Sequence, residues 1–132
     1  MDTKTMHEVA EQTDAGQMTF PQGVQRLMAV GVESYLVDFA GCRKTHYLAG
    51  GETHMETMSL GPHSIAPEFS AAALVEAIRG AQADTIRYPE FVKRATAAGV
   101  IGYWAFLAGR QVVYLGRRGE QHVEKFPGAK QP

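Results

Sequence analysis

Cysteine is nearly absent from the sequence: Cys42 stands alone among 132 residues. That excludes an internal disulfide and any zinc site built on several thiolates. Neither sign of charge dominates, with 13 Lys+Arg against 14 Asp+Glu and a formal net charge of −1. A dedicated duplex-binding domain carries a basic surplus, so this balance argues against one. No apolar run reaches the roughly eighteen residues of a membrane-spanning helix. The opening Met1-Asp2-Thr3-Lys4 has no basic flank leading into an apolar core. No secretory signal is therefore expected, and a cytoplasmic location is the default. Phosphate loops are missing too. Gly50-Gly51 and Gly116-Arg117-Arg118-Gly119 lack the Gly-x-x-x-x-Gly-Lys-Ser/Thr order and precede strand-like segments. What is present is a globular composition, 45% hydrophobic and 20% charged, in a length that suits one domain.

The chain repeats itself at an offset of 68 residues. Phe20-Pro21 matches Tyr88-Pro89, Val24 and Arg26 match Val92 and Arg94, and Ala29, Gly31, Val32 and Tyr35 match Ala97, Gly99, Val100 and Tyr103. Ala40-Gly41 matches Ala108-Gly109. The alignment then slips to 67, pairing Tyr47-Leu48 with Tyr114-Leu115, and returns to 68 for Gly51-Glu52-x-His54-x-Glu56 against Gly119-Glu120-x-His122-x-Glu124. Both slips fall in glycine-containing turns, beside Cys42 and beside Arg117-Arg118, where single insertions are tolerated. Two copies make a pseudo-twofold domain rather than a solenoid. The pseudo-repeats span 2–57 and 70–125, the linker 58–69 and a polar tail 126–132, which is expected to fray.

Each copy reads as helix, helix and three short strands. Asp2 and Ser70 are N-cap residues, since their side-chain oxygens can accept from orphan helix N–H groups. Met6, Val9, Ala10 and Thr13 follow in one copy, and Leu74, Ile78 and Ala81 in the other, at helical spacing. Phe69 and Leu74 have the spacing of a hydrophobic staple. Pro21 and Pro89 suit the start of a second helix, and Gly31 and Gly99 its left-handed stop. Its buried stripes are expected to be Val24, Leu27 and Met28, and Phe91, Val92 and Ala95. Strands are expected over Ser34–Ala40, Lys44–Leu48 and Glu52–Thr57, and over Gly102–Ala108, Arg110–Leu115 and Glu120–Lys125. Tight turns between them give antiparallel meanders, because parallel strands need long crossovers. The fold class is therefore α+β, an internally duplicated helix–helix–three-stranded meander. Whether the meanders merge into one sheet is left open.

This pattern resembles the YdfO-like/YbcV-like family of small bacterial and prophage-encoded proteins, often labelled phage envelope protein. The motifs that carry the resemblance are Tyr88-Pro-Glu-Phe-Val92, Ala98-Gly-Val100, Tyr114-Leu-Gly-Arg-Arg-Gly119 and His122-Val-Glu-Lys-Phe126. It covers nearly the whole chain and implies an α+β fold. It implies no activity, cofactor or catalytic residue.

Several constellations could carry chemistry. Residues two apart on a strand share a face, so Glu52, His54 and Glu56 line one face and Glu120, His122 and Glu124 another. If the twofold brought them together, His54, Glu56, His122 and Glu124 could bind a divalent metal or act as an acid–base set. The simpler reading is that the alternation marks a strand with one wet face, Thr53, Met55, Gln121 and Val123 pointing the other way. His46 precedes His54 on the neighbouring strand and aligns with Val113, so a His46–His54 site would exist in one half only. His7 and His63 have no partners visible from spacing. Arg43 and Lys44 could favour a thiolate at Cys42, but no accompanying base is evident. Arg110, Arg117, Arg118, Lys125 and Lys130 make the C-terminal third locally basic, beside Tyr103, Trp104, Tyr114 and Phe126. This is a weak pointer to nucleic acid in a chain without net basic charge.

Trp104 and Phe106 share one face of their strand, and Tyr103, Ala105 and Leu107 the other. The matching residues of the first copy are Leu36 and Asp38. The second meander is thus apolar on both faces, and burial beneath the protein's own helices or linker is the default expectation. The reading reached is a non-enzymatic, phage- or prophage-type binding or interaction module. It acts through Trp104 and Phe106 on an unidentified protein or small molecule, or by homodimerising there, with no cofactor and no membrane span. The alternatives are a metal-dependent or His/Glu acid–base enzyme, and a weak nucleic-acid contact through Arg110, Arg117 and Arg118.

Overall fold

The computed structural model describes residues 1–127. The tail expected over 126–132 lies outside the described residues from 128 on, Lys130 included. Each copy has the expected order. The first runs α1 (Thr3–Asp14), α2 (Phe20–Ala29), β1 (Val32–Asp38), β2 (Arg43–Leu48) and β3 (Thr53–Thr57). The second runs α3 (Ala71–Gln82), α4 (Tyr88–Ala97), β4 (Val100–Phe106), β5 (Gln111–Gly116) and β6 (Gln121–Lys125).

Local chemistry sets the boundaries. The Asp2 carboxylate accepts from the Thr5 N–H and the Ser70 hydroxyl from the Ala73 N–H. Thr19 and Gln22 form a reciprocal capping box ahead of α2. Gly31 and Gly99 follow the second helices at φ +91° and +86°, the left-handed stop that glycine adopts without a Cβ penalty. The chain extends directly after those glycines, so β1 and β4 begin two residues earlier than expected.

The two meanders do merge. The six strands form one antiparallel sheet in the order β3-β2-β1-β4-β5-β6. At the seam Ser34 pairs with Phe106, Leu36 with Trp104 and Asp38 with Gly102. Exchanging the copies maps the Leu36–Trp104 pair onto itself, so the pseudo-twofold axis passes through it.

The offset is 68 for every helix and strand, without a slip. Tyr114 is thus the counterpart of His46, not of Tyr47, and Arg110 of Cys42. Pleating explains the correction. A one-residue shift moves a side chain to the opposite face. Tyr114 and His46 are both buried on the inner face, whereas Tyr47 stands half-buried on the outer one. Cys42 is no insertion: it and Arg110 occupy the same turn position at φ +53° and +56°.

All four helices lie on the inner face, over a core that includes Met6, Val37, Phe39, Leu74, Val100 and Leu107. Three expected stripes shift. Ala81 is exposed and Ala77 takes its place beside Leu74 and Ile78. Met28 is 51% exposed, leaving Gly23 and Leu27 as the buried line of α2. Thr13 is only half-buried, while the next residue, Asp14, is buried.

Gly23 is a mid-helix glycine with room for a side chain. A Cβ there would meet Val9 Cγ1 at 3.4 Å and Met18 Sδ at 3.8 Å, ordinary contact distances. Gly23→Ala should therefore stabilise the fold by about 0.4–1 kcal/mol, chiefly by restricting the unfolded chain. Thermal denaturation of the variant checks this.

Candidate functional site

The Glu-x-His-x-Glu strands are the two edges of the sheet, β3 and β6. His54 and His122 are thus separated by five strand spacings, roughly 24 Å. The twofold does not bring them together. Among the described residues no group of three or more His, Cys, Asp or Glu side chains could hold a metal ion.

Nor is their face the wet one. His54 pairs with His46 and Glu56 with Lys44, so they point to the helix side. Met55 and Val123, on the other face, are 54% and 47% exposed. Period-two alternation shows which residues share a face; it does not show which face the helices cover.

The carboxylates clamp helices to the sheet edges. Glu56 accepts from His54 and, at 2.5 Å, from Nδ1 of His7 on α1, so His7 does have a partner. Glu124 accepts from Arg79 of α3 at 2.7 Å, from Gln82 at 3.3 Å and from His122 at 3.3 Å. Partial burial raises the pKa of both carboxyls, but these donors outweigh it and hold them below the usual range. Hydrogen bonding to Glu56 raises the pKa of His7, helped by Glu11. Edge strands need such cover to avoid pairing with other chains.

Further inside lie groups that periodicity could not single out. Lys44 Nζ donates to Asp14 Oδ1 at 2.8 Å, with the side chains only 5% and 2% exposed. Asp14 Oδ2 accepts from the Ser59 N–H. Burial lowers the pKa of Lys44 against the pull of Asp14. Lys44 therefore points away from the turn that carries Cys42. His46 is 2% exposed, its Nδ1 donating to the His54 carbonyl at 3.2 Å. Burial brings its pKa down to about 4. Tyr35, Tyr88, Tyr103 and Tyr114 converge on the same layer. Burial raises all four hydroxyl pKa values.

The basic residues do not form one patch. Arg110 precedes β5, and Arg117 and Arg118 follow it, about 20 Å away. Arg117 donates to the Ile65 and Ala66 carbonyls, and Arg118 pairs with Glu68 at 3.6 Å, so both hold the linker. Cys42 is half-exposed, its thiol directed at the Phe39 carbonyl at 3.6 Å. Phe126 is partly buried, packed edge-on against Phe20 with ring centroids 5.3 Å apart.

The outer face carries the pair the sequence singled out, Trp104 and Phe106, both half-buried. The helices pack on the inner side, so the cover of Trp104 comes from its neighbours on the sheet, which bury its Nε1 without a hydrogen-bond partner among the described residues. Trp104 stacks on Phe106 and on Tyr47, each at 5.4 Å between centroids. Leu36, Val113 and the exposed Met55 and Val123 extend this row across the sheet. Charged and polar groups stand at its two ends, Asp38 and Arg43 at one and Gln111 and Lys125 at the other. No helix among the described residues is long and apolar enough to cross a membrane.

The architecture is thus that of a duplicated two-layer α+β domain with one bare, aromatic sheet face. The chain belongs to a family of proteins of unknown function, DUF1398, whose model matches residues 4–123. No curated protein matches it.

Proposed function

We propose that the protein is a non-enzymatic interaction module that pairs with a second copy of itself through the bare sheet face. The observation carrying this reading is the stacked Tyr47–Trp104–Phe106 row on a face that no helix covers. Six strands about 4.8 Å apart and five to seven residues long give a footprint of roughly 400–550 Å² before side-chain relief. That is the size of the functional patches found on monomers, and it approaches the roughly 800 Å² per partner of a specific interface. An apolar middle with polar ends is the usual anatomy of such a surface. An isologous contact would place the same patch of each copy face to face. The resemblance to the YdfO-like/YbcV-like family supports a phage- or prophage-type setting.

Phe106→Asp tests this with little risk to the fold. Asp38 already occupies the twofold-related position, so the sheet carries an aspartate there. Sedimentation velocity should give a dimer for the wild type. It should give a monomer with unchanged circular dichroism for Phe106→Asp. A wild type that remains monomeric at high concentration would refute the reading.

A further inference from the structure

The duplication is broken between the layers. α1 packs against α4 and against β3, and the Lys44–Asp14 pair lies beneath that junction. The twofold-related α3 stands further off: it reaches β6 through the Arg79 and Gln82 side chains on Glu124 but does not pack closely against β6 or α2. Between the helices and the inner face of the sheet lies a cavity of about 400 Å³, lined from all four helices, Ala10, Leu27, Ile78 and Phe91 among them. The cavity opens to the surface, and its volume is that of a small-molecule site.

Its walls define the chemistry of an occupant. Leu27, Ile78, Phe91 and Val112 supply apolar surface. The polar groups are tyrosine hydroxyls, an imidazole and charged residues that already have partners: Arg87 pairs with Asp84, Glu124 with Arg79, and Lys125 donates to Gln111. Tyr88 and Tyr103 hydroxyls hydrogen-bond each other at 2.8 Å, while the Tyr114 hydroxyl has no protein partner among the described residues. His46 spends Nδ1 on the His54 carbonyl, which leaves Nε2 as an acceptor. The buried charge of Lys44 is already matched by Asp14. A charged ligand would lose its hydration and find no free counter-charge inside. A flat apolar body bearing one neutral donor or acceptor would satisfy both kinds of wall.

We propose that this cavity is a binding site for a small neutral aromatic molecule of the phenol or indole class, held by the Tyr114 hydroxyl; His46, three strand spacings or about 14 Å across the sheet, is out of reach of the same polar group. The site lies on the opposite side of the sheet from the proposed dimer face and stands independently of it.

The test uses 1-naphthol as the neutral probe and 1-naphthoate as its charged counterpart, followed by amide chemical shifts of the full chain. Naphthol should shift the amides of Leu27, Val112 and Tyr114 at micromolar concentrations, with naphthoate at least tenfold weaker. Tyr114→Phe keeps the ring and should weaken naphthol about tenfold with unchanged thermal stability. Ala10→Phe, which projects a ring into the cavity, should abolish binding. No shifts at millimolar naphthol, shifts confined to the Trp104 face, or equal binding of naphthoate would each overturn the proposal. So would Tyr114→Phe binding as well as the wild type, which keeps the test decisive if Ala10→Phe fails to fold.

Discussion

Replacing Lys44 with alanine should cost about 3–5 kcal/mol of folding stability, because it strands a buried carboxylate. Asp14 is 3% exposed. Without Lys44 it keeps only the Ser59 N–H as a partner. The ammonium also lies 4.7 Å from the centre of the Tyr88 ring, so its loss removes a cation–π contact as well. The second copy carries no charge pair at these positions: the counterparts of Asp14 and Lys44 are the exposed Gln82 and the buried Val112. The double variant Asp14→Gln/Lys44→Val should therefore recover most of the loss, since removing both charges avoids the stranded ion. Urea denaturation of the two variants and the wild type measures this. A Lys44→Ala variant within about 1 kcal/mol of the wild type would contradict the burial of the pair.

Acid should destabilise the protein through His46, by roughly 3 kcal/mol between neutral pH and pH 4. The sign follows from the direction of the shift. The folded-state pKa is about 4 and the ordinary value 6.5. Below 6.5 the unfolded chain takes up a proton that the folded protein refuses, so stability falls as pH falls and levels off below about 4. Burial is the main cause, with Lys44 and His54 adding to it and the His54 carbonyl and Glu56 opposing it. The Tyr35 ring lies 5.8 Å away between centroids. Glu56 and Glu124 act in the same direction at lower pH, because their depressed pKa values stabilise the fold only while they are ionised. His7 acts in the opposite direction: its raised pKa favours the folded state at low pH. His46→Phe keeps a ring but cannot titrate, and should flatten the profile between pH 6.5 and 4. It gives up the hydrogen bond to His54, about 1 kcal/mol at neutral pH. An unchanged slope in that variant would show that His46 is not the responsible group.

The element order and the duplication were legible because their signals are local. Asp2, Ser70, Pro21, Pro89, Gly31 and Gly99 each act within one turn of chain, and the structure uses all six at helix ends. Faces were less legible. The alternation in Glu52–Glu56 and Glu120–Glu124 was read correctly as a shared face, yet assigned to water. Only the placement of α1 and α3 over the sheet edges decides that. The Asp14–Lys44 pair spans 30 residues, and no spacing rule connects a helix end to a strand two elements later. The supposed slip at Tyr47 and Tyr114 arose from matching identical letters. The pleat excludes it, because the two tyrosines point to opposite faces. Trp104 and Phe106 were read as sharing one strand face, and the register agrees. That no described helix lies over that face is a property of the helix packing rather than of the strand.

The bare sheet face is the centre of this account, and intermolecular contact across it can be observed directly. Isotope-filtered NOE spectra of a dimer assembled from labelled and unlabelled chains should show contacts from the Trp104 ring of one copy to the Val113, Val123 or Met55 methyl groups of the other. Intermolecular contacts confined to the helical side, or none at concentrations well above micromolar, would contradict it.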